Sequence, residues 1–369
     1  MKKQTVLVAG GAGCVGSFVV EELLDKGYHV VAMDLPGSPL PSGNERLKTI
    51  EGDLTAPGFI EKCLKGVDHI INAAAIVDIG KSYADLEPVN LGAVKRLHEL
   101  GRARKVKRLI HISTGSVYAE SDAACAETSP MEIANDYVRT KVESEEFLMG
   151  KPKGAFPRSS VLRPALVYGP KGKVLMAMIA TMPPLFRGLG MKFVPLSGGP
   201  KTNMVHGRDV AGAAVFLLTK RASWGEIYNI ADDDVMHFTE FVNIACEVFG
   251  LTPRGISIPY PPMPILKKLR PFLERDETLA PMNVITDLLW GQIVKEYGLE
   301  NELSLHIDKE QVAFWVRDAI FGNDKIKELG YELKYPRFRP GWTMTTRWYE
   351  ENRWIPRVDE MTSVLGRFL

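Results

Sequence analysis

Short apolar runs alternate with helix-length amphipathic stretches through the first half of the chain. The runs cover residues 5–9, 28–33, 48–51, 67–75 and 108–114. Their length and content are typical of buried strands, and the stretch after the first run has apolar residues at helical spacing. Such alternation indicates a parallel sheet covered on both faces. We therefore predict an α/β fold with a Rossmann-type doubly wound sheet and a smaller, mostly C-terminal substrate-binding region.

The pattern changes after Tyr168-Gly169-Pro170, a signal for chain reversal. We predict a cofactor-binding core over residues 1–168, completed by returning segments near 202–232. Residues 169–201 and 233–369 then form the substrate-binding and C-terminal region. The Pro-rich apolar stretch from Ile256 to Phe272 also carries three basic residues. It predicts either a membrane-surface contact or pocket lid, or else a solvated loop with a short helix.

A glycine-rich turn joins the first strand to the first helix. It reads GGAGCVG, with Gly10, Gly13 and Gly16 spaced three apart and with Cys14 and Val15 between the last two. Glycines permit a tight turn and let backbone N–H groups approach a pyrophosphate. The second strand ends in Asp34, whose carboxylate can accept hydrogen bonds from the hydroxyls of an adenosine ribose. Because no Lys or Arg follows at 35–37 and none lies in the turn, the sequence predicts NAD rather than NADP.

Tyr137 and Lys141 form a candidate catalytic pair. Of the eleven tyrosines, only Tyr137 has a lysine four residues later. On a helix, this spacing places both side chains on one face. The ammonium can then lower the phenol's pKa from its usual value of ~10, so that the phenol exchanges protons with an alcohol or ketone. The alternative is a surface pair with no chemical role.

Composition excludes several classes of function. The 369 residues are 45% hydrophobic and carry a net charge of +1, which favours neither nucleic acid nor an anionic membrane as a partner. The four cysteines have neither paired nor metal-ligand spacing, so we expect reduced thiols, a cytoplasmic protein and no metal site. No run of 18 apolar residues is present, which argues against a membrane span.

These motifs together resemble the extended short-chain dehydrogenase/reductase superfamily over roughly residues 5–232. The matching segments, in chain order, are GGAGCVG, Asp34, GDL at 52–54, NAAA at 72–75, Val89-Asn90, ISTGSVY at 112–118, YVRTK at 137–141, LRPALVYGP at 162–170 and VHGRDVA at 205–211. The resemblance implies that Tyr137 is the acid/base, that Lys141 binds the nicotinamide ribose and lowers the pKa of Tyr137, and that Thr114 holds the substrate oxygen.

The resemblance also implies further contacts. The implied cofactor contacts are Asp53 and Leu54 at the adenine, Ala74 near the nicotinamide ribose, Pro164 against the nicotinamide, and Asn90, which either lies near the cofactor or merely packs. The predicted substrate contacts are Ser116, Tyr168 and Met176. The superfamily's tendency to dimerise through helices of the cofactor half implies a homodimer.

Two departures favour one branch of the superfamily. Thr202 stands where nucleotide-sugar enzymes carry an arginine that grips a pyrophosphate, and the apolar Ala165-Leu166-Val167 replaces a segment that tends to contain asparagine. This region resembles the 3β-hydroxysteroid/sterol dehydrogenase branch. The implied activity is NAD-dependent oxidation of the 3β-hydroxyl of a steroid or sterol, or reduction of a related lipid ketone. A nucleotide-sugar epimerase or dehydratase is the alternative, and a non-catalytic dinucleotide-binding subunit is the third.

Overall fold

The computed structural model describes residues 4–152, 154–173, 176–300, 302–305, 307 and 309–361. Its strands are β1 (Thr5–Ala9), β2 (His29–Asp34), β3 (Leu47–Glu51), β4 (His69–Asn72), β5 (Arg108–Ile112), β6 (Arg158–Pro164), β7 (Leu166–Tyr168), β8 (Leu196–Ser197), β9 (Lys201–Thr202), β10 (Met204–His206), β11 (Glu226–Ile230), β12 (Met236–His237) and β13 (Ile258–Pro259). Its α-helices are α1 (Cys14–Asp25), α2 (Phe59–Cys63), α3 (Tyr83–Glu87), α4 (Ala93–Ala103), α5 (Asp136–Met149), α6 (Met176–Gly188), α7 (Gly207–Thr219), α8 (Phe238–Val248), α9 (Met263–Leu273), α10 (Asp276–Tyr297), α11 (Lys309–Phe314), α12 (Asp324–Glu328) and α13 (Phe338–Glu351).

Seven parallel strands form the central sheet in the order β11-β6-β5-β4-β1-β2-β3. The strand order reverses between β1 and β4, which places a crevice beyond the carboxyl ends of these two strands. The predicted fold class is therefore confirmed, and all five strands expected in the first half are present.

The alternation of side chains along β1 explains why the whole strand is apolar. Val6 and Val8 belong to the buried cluster that contains α1 and α7, whereas Leu7 and Ala9 belong to the cluster on the opposite face with α2 and α4. Both faces of a parallel strand are covered by helices, so neither set can be polar. The sheet is thus held rigidly beneath the crevice.

A third buried cluster lies in the C-terminal half and joins α6, α8, α10 and α13. Phe338 and Trp342 stack at its centre with ring centroids 5.3 Å apart. Strand β7 pairs in parallel with β10 and connects this cluster to the sheet. The cluster draws on the segments predicted to bind substrate, and the domain boundaries remain a prediction. None of the helices in the described part of the chain combines the length and hydropathy of a bilayer span.

Candidate active site

The glycine turn is closely packed on its protein side. Gly10 has φ +77°, and a Cβ added there would lie 2.8 Å from Ala74 N at the exit of β4. A Cβ on Gly16 would lie 1.8 Å from Gly10 O, so α1 can approach the turn only if residue 16 is glycine. A Cβ on Gly13, by contrast, would meet only Gly10 O, at 3.5 Å. The side of Gly13 therefore faces open space rather than protein.

Helix α1 begins at this open side without a side-chain cap. Gly13 is its N-cap residue, and among the described residues no side-chain cap hydrogen bond is made there. The first backbone N–H groups of a helix need such acceptors and attract anions. The turn thus offers both the donors and the space that a pyrophosphate requires.

A cavity of about 900 Å³ extends from the turn along the ends of β2 and β4. It is lined by Asp34, Asp53 and Leu54, which the sequence assigns to the adenosine side, and by Ala74, which it assigns to the nicotinamide ribose. Asp34 Oδ2 accepts a hydrogen bond from Ala12 N at 2.9 Å, and Oδ1 accepts one from Leu35 N at 2.8 Å. The carboxylate is therefore fixed at the cavity edge, and these residues fit a dinucleotide.

Asp53 is held at the same edge by its own turn. Its Oδ1 accepts hydrogen bonds from Thr55 N at 2.7 Å and from Thr55 Oγ1 at 2.8 Å. These bonds, with a weaker contribution from Arg96, lower the pKa of Asp53. The carboxylate consequently stays ionised as an acceptor at neutral pH.

A second cavity of about 320 Å³ adjoins the first. It brings together the predicted catalytic side chains Thr114, Tyr137 and Lys141, with Ser116 and Pro164 beside them. Gly13, Cys14, Ala73, Ala75 and Lys173 line both cavities. The two spaces are therefore neighbours, with the glycine turn between them. Apolar residues make up much of the remaining wall: Val15, Val77, Ile112, Ala165, Leu166, Val167, Phe314 and Phe321.

Helix α5 carries Tyr137 and Lys141 on one buried face. Its N-cap residue Asn135 accepts a hydrogen bond from Val138 N at 2.9 Å, which fixes where the helix begins. Lys141 Nζ donates to Ile112 O, at the end of β5, at 2.9 Å. Burial lowers the pKa of Lys141 to about 8, while Glu145 acts in the opposite direction. The ammonium is thus placed one helical turn from a buried phenol.

Thr114 lies two residues after the end of β5. Its Oγ1 accepts a hydrogen bond from Ser116 N at 3.1 Å and caps the short 3₁₀ turn over Gly115–Val117. This bond fixes the oxygen at the cavity wall. The arrangement can hold a substrate oxygen between a hydroxyl and a phenol, as proton transfer to or from an alcohol requires.

A family model described as the NAD dependent epimerase/dehydratase family matches residues 6–231, more than half of the chain. The chain belongs to this family. The matched range runs from within β1 to just past β11, so it contains nearly the whole sheet and the predicted catalytic residues Thr114, Tyr137 and Lys141. The family is NAD-dependent, in agreement with the cofactor predicted from the sequence, and the superfamily resemblance is confirmed.

Proteins with sequences similar to this chain include two steroid dehydrogenases. The 3 beta-hydroxysteroid dehydrogenase/Delta 5-->4-isomerase of Mycobacterium tuberculosis is 29% identical over 261 residues, which cover 66% of this chain and 69% of the relative. The 3-beta-hydroxysteroid dehydrogenase of Mycolicibacterium neoaurum is 30% identical, with coverages of 65% and 70%. The UDP-glucose 4-epimerase of Thermotoga maritima, solved with UDP-glucose, has a TM-score of 0.69 at 21% identity over 94% of this chain and 99% of its own. This last likeness shows the fold.

Two residues that the family resemblance assigned to ligands line neither cavity. Asn90 is buried in a π-helical turn over Pro88–Gly92, where its amide bonds Ile76 N at 2.8 Å, Ile76 O at 3.0 Å and Thr140 Oγ1 at 3.2 Å. It therefore ties the loop after β4 to α5. These contacts support the alternative that Asn90 packs within the protein rather than contacting the cofactor. Through them Asn90 positions the loop after β4, which lines both cavities.

Tyr168 is the second. Its side chain is fully buried against Phe338, Trp342 and His206, and its hydroxyl donates to Phe338 O at 3.4 Å. This places Tyr168 in the C-terminal core rather than at the predicted substrate contact. Met176 is the first residue of α6, and its side chain lies outside the described residues.

An ion pair beneath the cavity was not predicted from the sequence. Arg163 on β6 bonds Glu145 with Nε at 3.1 and 3.0 Å and with Nη2 at 2.5 Å, and both side chains are buried. Arg163 Nη1 donates to Tyr118 Oη at 2.9 Å, and Tyr118 Oη donates to Asn229 Oδ1 at 2.6 Å. Because Glu145 lies on α5, one turn after Lys141, and Arg163 lies on β6, this ion pair fixes α5 to the sheet. The Y-x-x-x-K-x-x-x-E spacing was the available signal.

Two lysines in the cofactor cavity were also missed. Lys171 and Lys173 lie in the loop after β7 and line the cavity beside the glycine turn. The positive charge of Lys171 acts on the Cys14 thiol, although burial still raises the pKa of Cys14 to about 12. Lys173 pairs with Glu302. Both lysines directly follow the Y-G-P segment. The sequence does not reveal that this segment lies beside the glycine turn, because the two are about 160 residues apart in the chain.

Proposed function

We propose that this chain is an NAD-dependent dehydrogenase of a secondary alcohol on an apolar lipid, most specifically the 3β-hydroxyl of a steroid or sterol. The observation that carries the proposal is the second cavity. It brings Thr114, Tyr137 and Lys141 together within an otherwise largely apolar wall. A fused-ring lipid would fill such a space with its hydroxyl at the polar end.

The charges of the cavity argue against a nucleotide-sugar substrate. Among the described lining residues, the cations are Lys141, whose ammonium is bonded to Ile112 O, and Lys173, which is paired with Glu302. Thr202, at the position of the pyrophosphate-gripping arginine, is buried and donates to Ala319 O at 2.9 Å. A doubly anionic ligand would need charge-paired partners on burial. The steroid dehydrogenases among the similar sequences support the same choice.

The residues of the chain perform the proton transfer. Thr114 Oγ1 holds the substrate oxygen, and Tyr137 in its ionised form takes the hydroxyl proton during oxidation. The ammonium of Lys141 stabilises the phenolate and, at its place beside β5, would contact the nicotinamide ribose. Pro164 and the apolar wall exclude water from the reacting carbon. Bound NAD supplies the chemistry of hydride acceptance, which NADH reverses in reduction.

The test incubates the purified chain with NAD and, separately, with 3β-hydroxysteroids, sterols, 3-hydroxyacyl lipids and UDP- or dTDP-sugars. NADH absorbance and product masses are followed. We expect NADH with a steroid, a sterol or a related lipid. Isomerised or dehydrated sugar without net NADH would instead assign the chain to the nucleotide-sugar enzymes and overturn the proposal. Binding of NAD with no turnover of any compound would support a non-catalytic subunit.

Tyr137→Phe tests the proton role. Turnover should fall by a factor of about 10²–10⁴, the usual contribution of general acid/base catalysis, while NAD affinity measured by calorimetry stays near wild type. Tyr28→Phe is the matched control, because Tyr28 directly precedes β2 and lines neither cavity. Near-normal turnover in Tyr137→Phe would show that the assigned proton donor is wrong.

A further inference from the structure

Large hydrophobic side chains are exposed mainly in one segment. Of the sixteen such side chains exposed in the described part of the chain, nine lie between residues 256 and 288. Contiguous apolar patches on a folded surface mark interaction sites more often than chance, whereas scattered single residues need no explanation. The nine are Ile256, Ile258, Ile265, Leu269, Phe272, Met282, Val284, Ile285 and Leu288.

Helix α9 contributes a regular stripe. Ile265, Leu269 and Phe272 follow the i, i+4, i+7 spacing of one helix face and are 53%, 45% and 54% exposed. No residue of α9 is buried. An amphipathic helix normally buries its apolar stripe against the protein, so this stripe is available to something outside the chain.

Helix α10 follows directly and packs against α9. Its buried residues include Asn283, Trp290 and Ile293. On the opposite side of the helix, the side chains of Val284, Ile285 and Leu288 are 60%, 59% and 63% exposed. We call the exposed apolar side chains of α9 and α10 together the α9–α10 surface. Both helices thus leave an apolar stripe in water.

The charge around α9 points to the nature of the partner. Residues 254–275 contain five basic side chains and one acidic side chain, a net charge of +4 in a chain whose total is +1. Lys267 pairs with Glu120 and Arg270 with Glu274, but Lys268 has no carboxylate partner in the described part of the chain. The Arg275 guanidinium lies 5.8 Å from the centroid of the Phe272 ring. Basic residues beside apolar ones that enter the acyl boundary are typical of helices lying on anionic bilayers.

The same helices are connected to the catalytic cavity. Helix α9 contacts α11, and Phe314 at the end of α11 lines the cavity. Leu273 of α9 packs on the small cluster of Leu279, Ile307 and Val312 between these helices. Helix α11 therefore links α9 to the wall of the cavity in which an apolar substrate would react.

We propose that the α9–α10 surface docks the protein on a lipid bilayer that contains anionic phospholipid, and that substrate passes from this bilayer toward the cavity. The second part rests on the proposed function, and the docking does not. Because α10 is itself acidic, the electrostatic share of binding comes from α9. Salt and neutral lipid should weaken binding without abolishing it.

The test is flotation of the full chain with vesicles of phosphatidylcholine, with or without phosphatidylglycerol. Wild type should float with both and more completely with the anionic vesicles. The variant Ile265→Ser/Leu269→Ser/Phe272→Ser should lose roughly tenfold or more in partition coefficient. Ile133→Ser/Met191→Ser/Val235→Ser is the matched control, since it removes three exposed apolar side chains elsewhere. Lys268→Glu should weaken binding several-fold to anionic vesicles alone, and Lys65→Glu should not.

Wild type that floats with neither vesicle, or equal losses in the two triple variants, would overturn the docking. A dimer that the α9 triple variant converts to monomer, without vesicle binding, would make the surface a subunit contact and likewise overturn it. The proposed function fails separately. Tyr137→Phe should float like wild type, and a chain that floats but oxidises no lipid alcohol would refute the activity while the docking stands.

Discussion

At the scale of single residues, Glu145 connects the stability of the site to its chemistry. The carboxylate is buried, bonds Arg163 through two guanidinium nitrogens, and raises the pKa of Lys141 against the effect of burial. Removing the charge from Glu145 would leave the Arg163 charge buried without its counterion. It would also remove the group that keeps Lys141 protonated.

We therefore predict two effects of Glu145→Gln. The free energy of unfolding in urea should fall by about 3–5 kcal/mol, the usual cost of breaking a buried ion pair. If the variant is active, the alkaline limb of its pH–kcat profile should move to lower pH, because the pKa of Lys141 drops further below about 8.

Two further variants test whether the effects of Glu145→Gln come from the broken buried ion pair rather than from any loss of a carboxylate on α5. Glu146→Gln changes an exposed carboxylate on the same helix and should alter stability by less than about 0.5 kcal/mol. Glu145→Leu/Arg163→Met removes both charges and should recover much of the stability. An unchanged pH profile in Glu145→Gln would show that the carboxylate does not act on Lys141.

At the scale of elements, two glycines of the strand–turn–helix unit are needed for different reasons: Gly16 for packing of α1 against the turn, and Gly13 for space beside the cofactor. Gly16→Ala should lower the unfolding midpoint and abolish NAD binding, because the new Cβ would lie 1.8 Å from Gly10 O and must push α1 from the turn. Gly13→Ala should unfold near the wild-type temperature, since its Cβ has ordinary contact only. Its NAD affinity should still fall, roughly tenfold or more, because the methyl group enters the space for the pyrophosphate.

Calorimetric unfolding and NAD titration check this pair, with Gly291→Ala on the exposed side of α10 as the control for a glycine-to-alanine change in open space. Normal NAD affinity in Gly13→Ala would mean that the cofactor does not approach this turn.

The elements differ in how far the sequence predicts them. The sheet strands are recognisable because a strand covered on both faces must be apolar throughout, as residues 5–9 are. Helices α9 and α10 carry no family motif. For residues 256–272 the sequence allowed two interpretations, either a membrane contact or pocket lid, or a solvated loop with a short helix. The structure forms an eleven-residue helix there. Local pattern indicates amphipathicity, but not which face remains exposed, since that depends on what packs alongside.

The site shows the same limit. Tyr137, Lys141 and Thr114 meet where their motifs indicated because each follows a fixed position on β5 or α5. Tyr168 was misplaced because its motif fixes the backbone of β7 but not the direction of the side chain, which turns into the C-terminal core. Lys171 and Lys173 reach the glycine turn only through the fold of the loop after β7. Contacts between distant segments are set by packing and cannot be inferred from spacing.

At the scale of the whole molecule, buried titratable groups make stability depend on pH in two opposing directions. Burial lowers the pKa of His69 to about 4 and of His206 to about 3, and lowers that of His111 well below its ordinary value. These histidines are neutral in the fold but accept protons in the unfolded chain below a pKa of ~6.5. Their contribution to stability is complete above that pH and is lost as pH falls toward the folded values.

Asp232 acts in the other direction. Burial raises its pKa to about 9, and its Oδ2 has no hydrogen-bond partner among the described residues. The folded state keeps this proton while the unfolded chain releases it above a pKa of ~3.9, so stability falls as pH rises from that value to about 9. The two pH ranges overlap between ~3.9 and ~6.5, where three histidines outweigh one carboxyl, so stability should rise with pH up to about 6.5 and fall above it.

Asp232→Asn separates the two effects. An amide has nearly the shape of the protonated carboxyl and releases no proton, so the variant should be more stable than wild type at pH ~7.5 by on the order of 2–4 kcal/mol. The gain should shrink as the pH falls toward ~4 and vanish about one pH unit below it, where wild-type Asp232 is protonated in both states. The acid loss caused by the histidines should be the same in both proteins, because Asp232→Asn leaves them in place. Urea unfolding across this pH range measures both trends. A variant that is less stable at every pH would show instead that the Asp232 carboxylate is ionised and bonded in the fold.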